Sequence, residues 1–382
     1  MTSLYDAIVI GAGPAGSAAA ATLAQRARQV ALIEKDMFPR HKVCGAFLSA
    51  DALPLLDRLG VRPEIDRFAT ETISRGAVHL PGGLTVSFRL RLPALGISRR
   101  VFDDLLARKA CGAGAQARFG ARVLTADRVD GRFRVAFATP DGLTELEART
   151  VLGAWGRWDA LDKTLDRSFL RGGRRFFAWS RDFCNEEGLA GSVRLYLFRG
   201  GYCGLSRVEG GAVNLAGVVS EKVRRAAGGW EEVVAFARSE NRALDRDLAP
   251  LAPGPIGYLG TGPVFFTAKP PVENGILMAG DSAGVIDPFS GQGQAAALAS
   301  GVLAGETVDA ALSGEIPLEA LAREYAHAWK RRFAPRFAWS AAFRSLMLHP
   351  GAASIAARTG GERLIRFGIE RLQNLSGDRV IG

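Results

Sequence analysis

The chain has 382 residues and a mass of 40.7 kDa, long enough for two or three domains around a large core. Hydrophobic residues make up 48% and charged residues 23%, with mean hydropathy near zero, which excludes extended disorder, collagen and a disulfide miniprotein. The net charge of +10 is mostly arginine spread along the chain, with a surplus of 11 basic over 4 acidic residues from Leu321 onward, so no nucleic acid is expected and peripheral contact with a membrane is the most it implies.

Tyr5 to Ile10 is a short apolar run rich in β-branched residues and reads as a buried strand that stops at Gly11. Gly11-Ala-Gly-Pro-Ala-Gly16 then opens an alanine-rich helix to about Ala27, and Gln29 to Glu34 is a second apolar strand, giving a βαβ unit. A helix is expected from Ser49 to Leu59, ended by Gly60. Val78, Leu80, Leu84, Val86, Phe88 and Leu90 alternate around Pro81-Gly82-Gly83, the pattern of a hairpin with one apolar face. Helical spacing returns from Ser98 to Cys111. Ala121 to Thr125, Phe133 to Ala138 and Thr150 to Ala154 read as strands, with turns at Asp130-Gly131 and Asp141-Gly142.

Strand signals dominate again from Arg175 to Lys269, notably Val193 to Phe198, Gly201 to Arg207 and Ala212 to Val219, interrupted by a helical stretch from Trp230 to Leu248. Gly275 to Ala279 is another apolar strand, followed by a glycine-rich loop and an alanine-rich helix. The chain from about Pro317 is helical, with Pro335 and Pro350-Gly351 expected as breaks. The fold class is therefore α/β: a Rossmann-like nucleotide-binding domain (1–75, 96–174 and 270–316) interleaved with a mixed β-sheet substrate domain (76–95 and 175–269), and a C-terminal helical segment (317–382).

Four scattered cysteines without a CxxC pair and four scattered histidines predict neither a disulfide framework nor a metal site, and a cytoplasmic location fits best. The uncharged stretches Ala7 to Gln25 and Pro288 to Gly305 are rich in small residues and read as close-packed segments around a ligand, not as membrane spans.

The glycine triplet carries the first chemistry. Gly11 serves the tight turn after the strand, Gly13 the close approach of backbone to a pyrophosphate, and Gly16 the packing of helix on strand. Pro14 and Ala15 begin the helix, whose N-terminal N–H groups and dipole face the phosphates. Glu34, at the end of the second strand, is placed to accept the ribose hydroxyls of an adenosine. The second signal is Gly275-Ile-Leu-Met-Ala-Gly-Asp-Ser-Ala283, a strand delivering Asp281, followed by Val285-Ile-Asp-Pro-Phe-Ser-Gly-Gln-Gly-Gln294.

With these motifs, with Phe38-Pro-Arg-His-Lys-Val-Cys-Gly45 and with Ile97-Ser-Arg-Arg-Val-Phe-Asp103, the sequence resembles the FAD-dependent superfamily of p-hydroxybenzoate-type hydroxylases, geranylgeranyl reductases and flavin-dependent halogenases. The motifs span most of residues 5 to 305 in the family's order. The resemblance implies that the nucleotide is FAD, that Asp281 binds the ribityl chain and Arg99 lies near the pyrophosphate, and that Pro288, Gly291, Gln292 and Gly293 run along the isoalloxazine, Gly291 and Gly293 presenting N–H groups to it. Lys35, Arg40, Cys44 and Val123 complete the expected cofactor set. The KxCG form of Lys42 to Gly45 is similar to the geranylgeranyl reductase branch, which makes Cys44 a candidate catalytic residue beside the flavin. Tyr202, matching the first position of that branch's YxWxFP motif, is the second candidate.

Two departures shape the functional expectation. Where the family typically carries an Asp-Gly pair, this chain reads Gly153-Ala-Trp-Gly-Arg-Trp158, and Gly204 and Ser206 stand where the reductases have Trp and Phe. The halogenases' WxWxIP motif is absent. The expected enzyme is an FAD-dependent oxidoreductase, a monooxygenase of secondary metabolism that hydroxylates or epoxidises a hydrophobic aromatic or polyketide-like small molecule through a flavin C4a-hydroperoxide. Its electrons would come from NAD(P)H or a separate flavin reductase. The alternatives are a geranylgeranyl-reductase-like ene reductase acting on isoprenoid double bonds and, outside enzymes, a flavin-binding redox sensor.

Overall fold

The structure, a computed structural model, describes residues 4–68, 70–184 and 187–348. The segment expected to be helical beyond residue 348, with its break at Pro350-Gly351, lies outside the described residues. Two eight-stranded sheets organise the rest.

The first sheet grows from Tyr5–Ile10, whose side chains are buried on both faces as befits a continuous apolar run. Val30–Glu34 and Gly142–Gly153 flank it in parallel, and Gln116–Phe119 and Ile276–Met278 extend the parallel part on either side. An antiparallel meander, Arg122–Val129 and Arg132–Thr139, continues off Gly142–Gly153. The helix Pro14–Ala24 is buried throughout, because a second helix, Gly293–Leu312, lies directly on it. A Cβ on Gly301 would stand 2.1 Å from Ala15 O, so only hydrogen lets the two backbones approach this closely. Gly293–Leu312 is long and apolar enough to cross a membrane by composition, yet most of it is buried inside the molecule.

The second sheet takes the order Leu259–Gly260, Phe176–Phe183, Val213–Ser220, Gly201–Arg207, Ser192–Phe198, Glu71–His79, Thr85–Gly96, Phe47–Leu48. All its pairs are antiparallel except Ser192–Phe198 with Glu71–His79. One of its faces is covered by the helices Trp230–Glu240 and Arg242–Leu248, which Asn241 separates by capping the second with its side-chain oxygen. Its other face looks toward the first sheet.

Two expectations are corrected, and two elements went unexpected. The strand Glu71–His79 begins before residue 76, so the expected boundary after residue 75 falls inside it, and Phe47–Leu48 joins the second sheet as well. The helix Leu321–Met347 runs through Pro335 without ending there. Its apolar side chains Tyr325, Trp329 and Phe333 are buried in the core, and that packing outweighs the one backbone hydrogen bond that proline removes. Finally, the helix Arg62–Arg67 and the short strand Gln116–Phe119 were not signalled by periodicity.

Candidate active site

A cavity of about 490 Å³ opens where the carboxyl ends of Tyr5–Ile10 and Gly142–Gly153 meet, and it continues up to the second sheet. That is the crevice in which open parallel sheets bind ligands. Two turns form its floor. Gly11 adopts φ +100°, and a Cβ there would lie 2.4 Å from Ala154 O, so the turn after the first strand packs against the turn after the strand ending at Gly153.

Of the sixteen cofactor-site residues expected from the sequence, all but Gly16 line this one cavity. Gly16, read from the motif as the glycine that packs helix on strand, stands off the cavity wall: a Cβ there would lie 1.7 Å from Gly11 O, pressed against the turn. Gly13, Pro14 and Ala15 face the cavity at the start of the helix. Glu34 is buried at its edge, one carboxylate oxygen accepting the Ala12 N–H at 2.7 Å and the other the Asp36 N–H at 3.0 Å. Those bonds fix its orientation while leaving lone pairs for ribose hydroxyls. Val123 closes the same end, and Lys35 pairs with Asp159 at 2.5 Å.

Arg99 begins the helix Arg99–Gly112, which Ser98 caps. It binds the fully buried Asp103 through Nε at 2.6 Å and Nη2 at 2.7 Å, and Arg40 Nη1 reaches the same carboxylate at 2.9 Å. Burial disfavours the Arg99 cation, but the charge and hydrogen bonds of Asp103 more than offset this and hold its pKa above the usual value. Asp103 closed the matched Ile97 segment but was given no role in the sequence reading. It orients both arginines, and only the i,i+4 spacing of Arg99 and Asp103 on a helix hinted at it.

Asp281 sits in the turn Gly280–Ser282 with Arg157 Nε 3.6 Å away. Behind it Lys269 donates to Arg157 O at 2.5 Å and Asp281 O at 2.8 Å, and burial lowers its pKa to about 8. Pro288 and Gln292 line the loop before the helix Gly293–Leu312. The expectation for Gly291 is corrected, since its N–H is donated to Pro288 O at 2.9 Å inside the turn that its φ of +66° closes. Gly293 has open space where a Cβ would be. Trp155 occupies the place of the missing aspartate and donates its indole N–H to Asp162 at 3.1 Å.

Cys44 reaches the cavity from a segment pinned by the second sheet: Asn214 Nδ2 donates to Cys44 O at 3.1 Å and Ser206 Oγ to Gly45 O at 3.2 Å. Gln294 Nε2 lies 3.5 Å from its Sγ, and Gln294 Oε1 is buried without a hydrogen-bond partner. Tyr202 lines the upper cavity and donates to Asp287 Oδ1 at 2.5 Å while accepting the Phe289 N–H at 3.0 Å. Burial, then the adjacent Asp287 carboxylate, push the phenol well above its usual pKa; burial raises that of Asp287 against these same hydrogen bonds. The structure thus brings Cys44 and Tyr202 into one cavity.

These residues fit FAD. Among the described residues, the Cβ position of Gly293 is open and that of Gly13 meets nothing closer than Arg99 Nη2 at 3.7 Å, an oriented carboxylate waits at the end of the second strand, and cations line the space between. An FAD binding domain matches residues 4–181. Digeranylgeranylglycerophospholipid reductase 2 of Methanopyrus kandleri is 27% identical over 344 residues, covering 88% of this chain and 85% of its own. Among solved structures, a triple mutant of the flavin-dependent brominase Bmp2 superposes with a TM-score of 0.81 at 17% identity, covering 98% of this chain and 96% of its own. A geranylgeranyl bacteriochlorophyll reductase-like protein from Thermoplasma acidophilum gives 0.73 at 20% identity, covering 90% and 88%. The chain is an FAD-dependent oxidoreductase: it carries an FAD binding domain over residues 4–181, is similar along most of its length to a digeranylgeranylglycerophospholipid reductase, and shares its fold with a flavin-dependent brominase.

Proposed function

We propose that this flavoenzyme saturates carbon–carbon double bonds in an apolar, isoprenoid-like substrate. The observation that carries the reading is the extent of the similarity to the phospholipid reductase of Methanopyrus kandleri, which runs over 88% of the chain and so takes in both halves of the cavity. It reverses the order of preference drawn from the sequence motifs, in which oxygen insertion led.

Bound FAD, once reduced, supplies hydride equivalents. The chain's own residues do the rest. Val193, Leu195, Val218, Val264, Phe266 and Phe289 give the upper cavity apolar walls, which hold a hydrocarbon chain and exclude water. The Cys44 thiol and the Tyr202 phenol are the two proton-bearing side chains facing that space that fit the protonation of a neighbouring carbon. Tyr202 stays neutral in this setting, because burial and the adjacent Asp287 carboxylate strongly suppress its ionisation.

The test is anaerobic turnover of protein reduced with dithionite, so that the natural electron donor, NAD(P)H or a separate reductase, does not enter. With a geranylgeranyl-bearing phospholipid the flavin absorbance should return and the lipid should gain H2 per double bond. A second reading, monooxygenation of a hydrophobic small molecule, is favoured by Gly204 and Ser206, which leave the cavity wall without the reductases' aromatic pair. It predicts no anaerobic product and incorporation of labelled oxygen from O2, and that result would overturn the first reading.

A further inference from the structure

Three cations converge on the cavity floor. Arg40 and Arg99 are both held by Asp103, and Arg40 also faces Asp36 at 3.2 Å and Glu34 at 4.0 Å. Lys42 is the third. It makes no hydrogen bond and no ion pair among the described residues, although it is on the cavity wall among them. Its Nζ lies 3.6 Å from where a Cβ on Gly156 would be, and Arg99 Nη2 lies 3.7 Å from the corresponding point on Gly13. Those glycines belong to the two floor turns that pack together at Gly11 and Ala154, so Lys42 and Arg99 stand on either side of the seam between them.

A cation in an enclosed site without a carboxylate partner is costly unless an anion arrives with the ligand. Arg40 is shared by Asp103, Asp36 and Glu34, and Arg99 is taken by Asp103, whereas the half-buried Lys42 has no carboxylate within ion-pair distance among the described residues. The part of FAD that carries negative charge is its diphosphate. We propose that Lys42 is the electrostatic ligand of the FAD diphosphate, a contact that the glycine turn and its helix do not supply.

The groups facing Lys42 come from three elements: Glu34 from the second strand, Arg40 from its own segment, and Arg99 and Asp103 from the helix Arg99–Gly112. Gly156 approaches it from the turn after the strand ending at Gly153, where Arg157 donates to Val43 O and faces Asp281. Burial, then Arg99 and Arg40, lower the Lys42 pKa to about 8. Only the protonated amine attracts the diphosphate, so affinity is complete below about 8 and weakens as pH rises above it. Lysine 269, behind Asp281, is lowered to the same region and is the group whose titration must be separated from that of Lys42.

The experiment titrates FAD-depleted protein with FAD and with ADP-ribose, which keeps the adenosine and the diphosphate ester but has a ribose in place of the flavin, from about pH 7 to about pH 9.5. Wild-type protein should bind both ligands progressively more weakly above about pH 8. Lys42→Met should weaken both by about 10- to 100-fold at pH 7 and flatten the profile. Lys42→Arg should restore affinity at pH 7 and remain flat, because guanidinium does not titrate in this range. Equal ADP-ribose binding by Lys42→Met and wild type would overturn the proposal, placing the lysine at the flavin ring or nowhere. A pH-dependent loss persisting in Lys42→Arg would overturn it too and assign the titration to Lys269.

Discussion

Placed on Gly16, a Cβ would stand 1.7 Å from Gly11 O, whereas on Gly13 it would meet nothing closer than Arg99 Nη2 at 3.7 Å. The two glycines of one motif therefore fail differently. Gly16→Ala should destabilise the FAD-free protein by about 1–3 kcal/mol or more, because backbone, not a flexible side chain, must move. Gly13→Ala should leave the melting temperature of FAD-free protein near wild type and still weaken FAD binding, since its methyl group enters the space kept for the cofactor. Thermal unfolding and FAD titration of both variants check this, and a Gly13→Ala protein with wild-type affinity would place the phosphates elsewhere. The positions of these glycines and of Glu34 around the cavity were legible because backbone geometry fixes them locally. Arg40 lies 63 residues from Asp103 in sequence, Trp155 takes a partner, Asp162, that no motif names, and Lys42 stands out by having no partner among the described residues; beyond the i,i+4 pair of Arg99 and Asp103, no spacing rule announces these roles.

Between elements, the firmest junction is a buried arginine. Arg167 follows the helix Ala160–Thr164 and has no exposed side-chain surface; it binds Asp162 at 3.0 Å, Ser282 O at 2.9 Å, Pro270 O at 3.1 Å, and Glu273. It thereby clamps the turn that carries Asp281 to the strand pair Val272–Glu273 and Ile276–Met278. Breaking a buried pair by removing one partner leaves the other charge stranded. Arg167→Ala should cost about 3–5 kcal/mol in denaturant unfolding, and FAD affinity should fall with it as the Asp281 turn loosens. Arg167→Lys, keeping charge without the planar fork, should recover only part. Strands and helices with strong periodicity were readable from residues alone, as Tyr5–Ile10 and Arg99–Gly112 show. The helical character of Leu321–Met347 was readable too, but its continuity was not, because tertiary packing carries its backbone past Pro335 where local rules call for an end.

At the scale of the whole molecule, one cavity is built by two sheets with separable tasks. The first sheet and its turns supply Gly13, Glu34, Arg99 and Asp281 at one end, and the second sheet supplies Ala178, Leu195, Gly204 and Ala216 at the other. The α/β class and the interleaving of sheet segments were legible from the alternation of helical and strand periods, but the depth of the shared cavity was not. Ala216 pairs with Ser180 and Gly204 across the middle of the second sheet and faces the cavity, so a larger side chain there takes volume from the upper half alone. Ala216→Phe should therefore leave FAD affinity within a few-fold of wild type while lowering turnover of a long isoprenoid chain by about 10-fold or more, and a short-chain analogue should suffer less. The comparison of the two chain lengths is the readout, since a general folding defect lowers both alike. If FAD affinity and both turnovers fell together, the division of labour between the sheets would be wrong; if neither changed, the hydrocarbon would lie along another wall.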